Sequence, residues 1–92
     1  MLQKEELQGL LEHLPGWVYR DHALEKSWQF FVFGELILFL KKCIKTMGEQ
    51  NHHADLLLDT KNKILTLKVT THSVGAVTRA DVDFAQAVER LL

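Results

Sequence analysis

With 92 residues, 47% of them hydrophobic and 25% charged, the chain reads as one small globular domain over residues 1–92 and not as a disordered segment. A formal net charge of -1 excludes the basic footprint that phosphate neutralisation requires, so direct nucleic-acid binding is not expected. A single cysteine, Cys43, excludes an intrachain disulfide, and the N-terminal stretch carries acidic residues where a secretory signal would be basic and then apolar, which points to a reducing, cytoplasmic setting.

Over residues 2–14, Leu7, Leu10, Leu11 and Leu14 recur at helical spacing until Pro15 and Gly16 stop the pattern. Residues 17–19 and 24–31 are rich in aromatic and apolar side chains, with polar Arg20, Asp21 and His22 between them, and predict a hairpin. A long helix follows over 32–50, where Phe33, Leu36, Ile37, Leu40, Ile44 and Met47 keep the helical period. Val32, Phe39 and Cys43 widen that arc, which suits a contact with a neighbouring subunit as well as with the chain's own sheet. The longest apolar stretch, 30–40, is broken by Gly34 and Glu35 and is far short of the ~20 residues that a bilayer span needs, so no membrane association is expected. A domain of this size buries only roughly 60–68% of the surface its unfolded chain exposes, which favours a homodimer or homotetramer.

Gly48 and Asn51 suit a helix ending. Two further strands are predicted at 56–58 and 64–70 around the polar turn 59–63, and in the second Leu65, Leu67 and Val69 alternate with polar neighbours. Thr78 and Asp81 resemble a capping pair opening a last helix that carries Val82, Phe84, Ala85, Val88, Leu91 and Leu92. The order αββαββα is satisfied by an α+β fold: a four-stranded antiparallel sheet with its helices packed on one face.

The chemistry-bearing feature is the pair His52-His53 together with His72. The pair lies where the long helix gives way to a strand, and His72 lies just past the end of that strand's hairpin partner, so the hairpin brings the two places together. His13 and His22 lie in segments without such company. Three readings stay open on spacing alone: polar residues at element ends, a zinc site, or proton transfer by imidazoles that titrate near neutrality. The zinc reading is the weakest, because neither a His-x-x-x-His spacing nor a second cysteine accompanies the histidines.

An ordered set of residues resembles the pterin-4a-carbinolamine dehydratases, a family also described as dimerisation cofactors of a homeodomain transcription factor. The set comprises Gly16-Trp17, the series Trp28, Phe30, Phe33, Leu36 and Phe39, then Asn51-His52-His53, Thr71-His72 and Asp81. The resemblance implies dehydration of 4a-hydroxytetrahydropterin to quinonoid dihydropterin without metal or organic cofactor. It implies His52, His53 and His72 as catalytic residues, with His52 and His72 the main acid-base groups, and Asn51, Thr70, Thr71 and Ser73 as contacts to the flat heterocycle. It also implies association through the sheet edge and the central helix.

The chain departs from the family at Gly48, where an acidic or similar polar residue is usual, and at Ala54, where a proline usually follows the histidines. The hairpin after Ala54 is longer and lacks its aromatic residue. These departures keep a second function class in view: a non-catalytic binding or assembly protein on the same scaffold.

Overall fold

The computed structural model describes residues 2–92. The elements are α1 (Lys4–Leu11), β1 (Val18–Arg20), β2 (Ala23–Gln29), α2 (Phe33–Gln50), β3 (Ala54–Asp59), β4 (Ile64–Val69) and α3 (Arg79–Glu89). The strands form one antiparallel sheet in the order β1-β2-β4-β3, with the helices on one side. The αββαββα order and the α+β class read from the sequence are therefore those of the structure.

Strand alternation explains the two faces. The rows Leu24–Val69–Ala54, Lys26–Leu67–Leu56 and Trp28–Leu65–Leu58 stand opposite one another across the three longer strands, and Leu24, Leu65, Leu67 and Val69 are fully buried beneath the helices. The rows between them, Glu25–Lys68–Asp55 and Ser27–Thr66–Leu57, lie on the open face. The turn after β3 is polar as read: Asp59 Oδ1 accepts from the Asn62 backbone N–H at 3.0 Å, and hydrogen bonds from Asn62 hold the Asp59 carboxyl below its ordinary range. No helix among the described residues is long and apolar enough to cross a membrane.

The central helix needs a correction. Leu36, Phe39, Cys43 and Met47 form its buried stripe, whereas Phe33 and Ile44 are about half exposed, at 46% and 51%. The stripe is thus rotated from the one read off the periodicity, and Phe39 and Cys43 belong to the chain's own core instead of to an outer arc. Burial pushes the Cys43 thiol up to about 12, so it stays protonated and unreactive at neutral pH. At the chain's end, α3 closes at Glu89 and Leu92 is exposed, outside the apolar face assigned to it.

At the far end of α3 a polar knot ties three elements. Lys26 Nζ meets Glu89 Oε1 at 2.6 Å and the Pro15 carbonyl at 2.9 Å, and Trp17 Nε1 donates to the same Glu89 oxygen at 2.7 Å. Gly16 adopts φ 86, and a Cβ there would stand 2.9 Å from Lys26 Cε, whose position these bonds fix. Gly16→Ala is expected to cost about 1–2 kcal/mol through left-handed strain and displacement of Lys26. Urea unfolding followed by tryptophan fluorescence, with Gly9→Ala in α1 as the control, measures this directly.

A candidate acid-base site at the end of the sheet

The site begins with a helix ending. Asn51 sits in the left-handed region at φ 51 and ψ 44, and the His52 N–H reaches back to the Met47 carbonyl at 3.1 Å, as in the left-handed cap that favours Gly or Asn just past a helix. The chain turns sharply there and sends His52 towards α3. A Cβ at Gly48 would meet nothing within 4 Å, so no steric constraint requires glycine at that position.

The second half of the site is the start of α3. Thr78 caps the helix and Asp81 completes the capping box, its Oδ2 accepting from the Thr78 backbone N–H at 2.8 Å. Asp81 is fully buried, and a lone buried carboxylate would be costly, so its other contacts matter. Thr71 Oγ1 donates to Oδ2 at 2.8 Å, and His52 Nε2 lies 2.5 Å from Oδ1. Because the single Thr71 hydroxyl proton goes to Asp81, the 2.8 Å contact between Thr71 and Thr78 is donated by Thr78.

An imidazole that donates its Nε2–H to Asp81 Oδ1 keeps the lone pair on Nδ1. A buried acid that orients an imidazole and leaves its other nitrogen free is a recurrent device for proton transfer. The ring also lies against Phe84, centroid to centroid 6.4 Å, on the core side.

The remaining sequence-derived residues lie at the same end of the sheet in different settings. Thr71 shares the carboxylate with His52, and the next residue, His72, opens a tight turn closed by the Thr71–Ala76 bridge. His72 and Ser73 are exposed on that turn. His53 is exposed just before β3, one residue out of phase with His52. Asn51 contributes its backbone conformation, and the Thr70 hydroxyl donates to the His22 carbonyl at 2.7 Å.

Asp81 is read from the sequence as a helix cap and as one match in the family set, without a site role; its contact with His52 places it in the candidate site. Its signal was present in the shorter Asp standing where a capping box usually has Glu or Gln. Among the described residues, no cluster of three or more His, Cys, Asp or Glu side chains is arranged to hold a metal ion.

Comparison with known proteins agrees with this architecture. Residues 1–91 match the family model for pterin 4 alpha carbinolamine dehydratase. A Rubrobacter xylanophilus protein provisionally named pterin-4-alpha-carbinolamine dehydratase is 37% identical over 91 residues, covering 98% of this chain and 83% of its own. A Sulfurisphaera tokodaii protein of the same provisional name is 32% identical over 91 residues, covering 99% and 96%. Among solved structures, a transcriptional coactivator/pterin dehydratase from Brucella melitensis superposes with a TM-score of 0.89 at 23% identity, over 98% of this chain and 96% of that one. A pterin dehydratase-like protein identified as a RuBisCO assembly factor in the alpha-carboxysome gives 0.66 at 17% identity, over 82% and 84%. These two likenesses concern the fold; the sequence matches along nearly the whole chain establish that it belongs to the pterin 4 alpha carbinolamine dehydratase family.

Proposed function

We propose that the protein dehydrates 4a-hydroxytetrahydropterin to quinonoid dihydropterin, with His52 and His72 as the acid-base groups. The observation that carries this reading is the His52–Asp81 pair, held by Thr71 and the Thr78 N–H beside the turn that bears His72. In the reaction the C4a–O bond breaks, the hydroxyl leaves as water with an added proton, and a ring nitrogen gives up its proton as the new C=N bond forms. The free Nδ1 of His52 suits proton removal. His72, exposed on its turn, is the natural donor to the leaving hydroxyl, and His53 assists binding or proton transfer at the open side. Asn51, Thr70, Thr71 and Ser73 line the same end of the sheet and supply polar contacts to the heterocycle.

Decay of enzymatically generated 4a-hydroxytetrahydropterin, followed by ultraviolet absorbance, tests the reading. Acceleration by the wild-type protein and its loss in folded His52→Ala is the expected result. A folded wild-type protein that leaves the uncatalysed rate unchanged would shift the function to binding or assembly on this scaffold. Gly48 and Ala54 favour that second reading, since both replace residues that usually shape the family's site.

Self-association belongs to the same proposal, and the exposed side of α2 supports it. Phe33, Ile37 and Ile44 lie along one helix face at spacings of four and seven residues, and Phe33 and Ile44 are half exposed. A charge within such an apolar seam opposes docking. Ile44→Glu is expected to lower the solution mass to that of a smaller assembly while leaving far-ultraviolet circular dichroism unchanged, as read by light scattering. A wild-type protein that is already monomeric would remove the seam from consideration.

A further inference from the structure

His22 is read from the sequence as a histidine without company, yet the fold carries it to the functional end of the sheet. It occupies the second position of the two-residue turn between the paired residues Arg20 and Ala23, where Asp21 and His22 adopt φ 51 and φ 62. Such turns favour glycine at that position, and histidine there gives up local stability for its side chain. Departures of this kind concentrate where a side chain has work to do.

Three observations orient this residue. The Thr70 hydroxyl donates to the His22 carbonyl at 2.7 Å, binding the turn to the strand end that leads into Thr71 and His72. β2, β4 and β3 are neighbours in the sheet, and His22, Thr71 and His52 lie just beyond their ends at the same edge, past the Leu24–Val69–Ala54 row. The Tyr19 hydroxyl lies 3.4 Å from His22 Nδ1, and Tyr19 stands opposite the buried Leu24, which puts the imidazole on the helix-covered side of the sheet that also holds Asp81. Nε2 has no hydrogen bond among the described residues, and the residue is exposed.

We infer that His22 is a further ligand-contacting residue, whose Nε2 edge closes the β1–β2 side of the His52–Asp81 site and helps hold the polar edge of a bicyclic pterin there. Resting on the pterin reading of that site, this assigns His22 to affinity and not to the proton transfers. An imidazole edge can donate to or accept from the alternating amide-like groups of such a ring.

The test uses 7,8-dihydropterin as a stable probe, titrated by fluorescence, together with steady-state dehydration. His22→Gly relieves the turn, so its melting temperature is expected to equal or exceed that of the wild type. Its Kd for the probe, and its KM, are expected to rise about tenfold, the loss of roughly one ligand hydrogen bond, with kcat within about twofold. His22→Asn, which tolerates the left-handed region and keeps a polar edge, is expected to return Kd to within about threefold of wild type. Equal probe affinity in the wild type and His22→Gly overturns the inference while leaving the dehydratase intact. A wild-type protein that neither binds the probe nor accelerates dehydration removes the pterin reading and the role of His22 together.

Discussion

Asp81→Asn is expected to lower kcat about 10²–10⁴-fold while costing only about 1–2 kcal/mol of stability. The asymmetry follows from how the carboxylate is shared. Oδ2 accepts two bonds, from Thr71 Oγ1 and the Thr78 N–H, whereas Oδ1 meets His52 alone. An asparagine keeps its oxygen where two donors converge and turns its NH2 towards His52. His52 must then present an unprotonated Nε2, which moves its proton to Nδ1 and blocks the nitrogen assigned to accept one from substrate. Nitrogen-15 chemical shifts of the imidazole report this inversion, which a purely structural defect would not produce. Asp81→Ala separates the effects: without either oxygen the reciprocal half of the capping box is lost and three donors are left without their acceptor, at a cost of about 2–4 kcal/mol. A folded Asp81→Asn protein with wild-type turnover would show that the carboxylate only caps α3.

The contrast between these variants also shows what was legible before the fold was known. Asp81 was visible as a capping residue because capping is local: Thr78 and Asp81 are three positions apart, and one glance at the spacing suffices. Its bond to His52 spans 29 positions and exists only because the left-handed Asn51 turns the chain towards α3. The ending of α2 was legible from Gly48 and Asn51, whereas its buried face was not. Residues 33–47 carry apolar side chains on much of the helix circumference, so periodicity admits more than one stripe, and packing against β4 and α3 selects Leu36, Phe39, Cys43 and Met47. His22 was invisible for the same reason as the His52–Asp81 bond. Thr70, which donates to its carbonyl, is 48 positions away in the chain.

His72→Ala is expected to remove most turnover, roughly 10²–10⁴-fold in kcat, with stability changed by no more than about 0.5 kcal/mol. The turn that carries it is held by main-chain bonds: Thr71 N–H to the Ala76 carbonyl at 3.2 Å, and Val74 and Gly75 N–H to the Thr71 carbonyl at 3.0 and 2.9 Å. None of these involves the imidazole, and Gly75 supplies the positive φ of 71 that closes the turn. The side chain is therefore free to act without supporting the fold, unlike Asp81, whose removal unsettles a helix end. If His72 delivers the proton to the departing hydroxyl, added imidazole should restore part of the rate in His72→Ala but little in Asp81→Asn, where the His52 ring is still present and only misprotonated. Rescue in both variants, or in neither, would mean that the two histidines do not divide the acid and base steps between them. Undiminished dehydration by folded His72→Ala would leave the His52–Asp81 pair to carry both proton transfers, with water as the second partner.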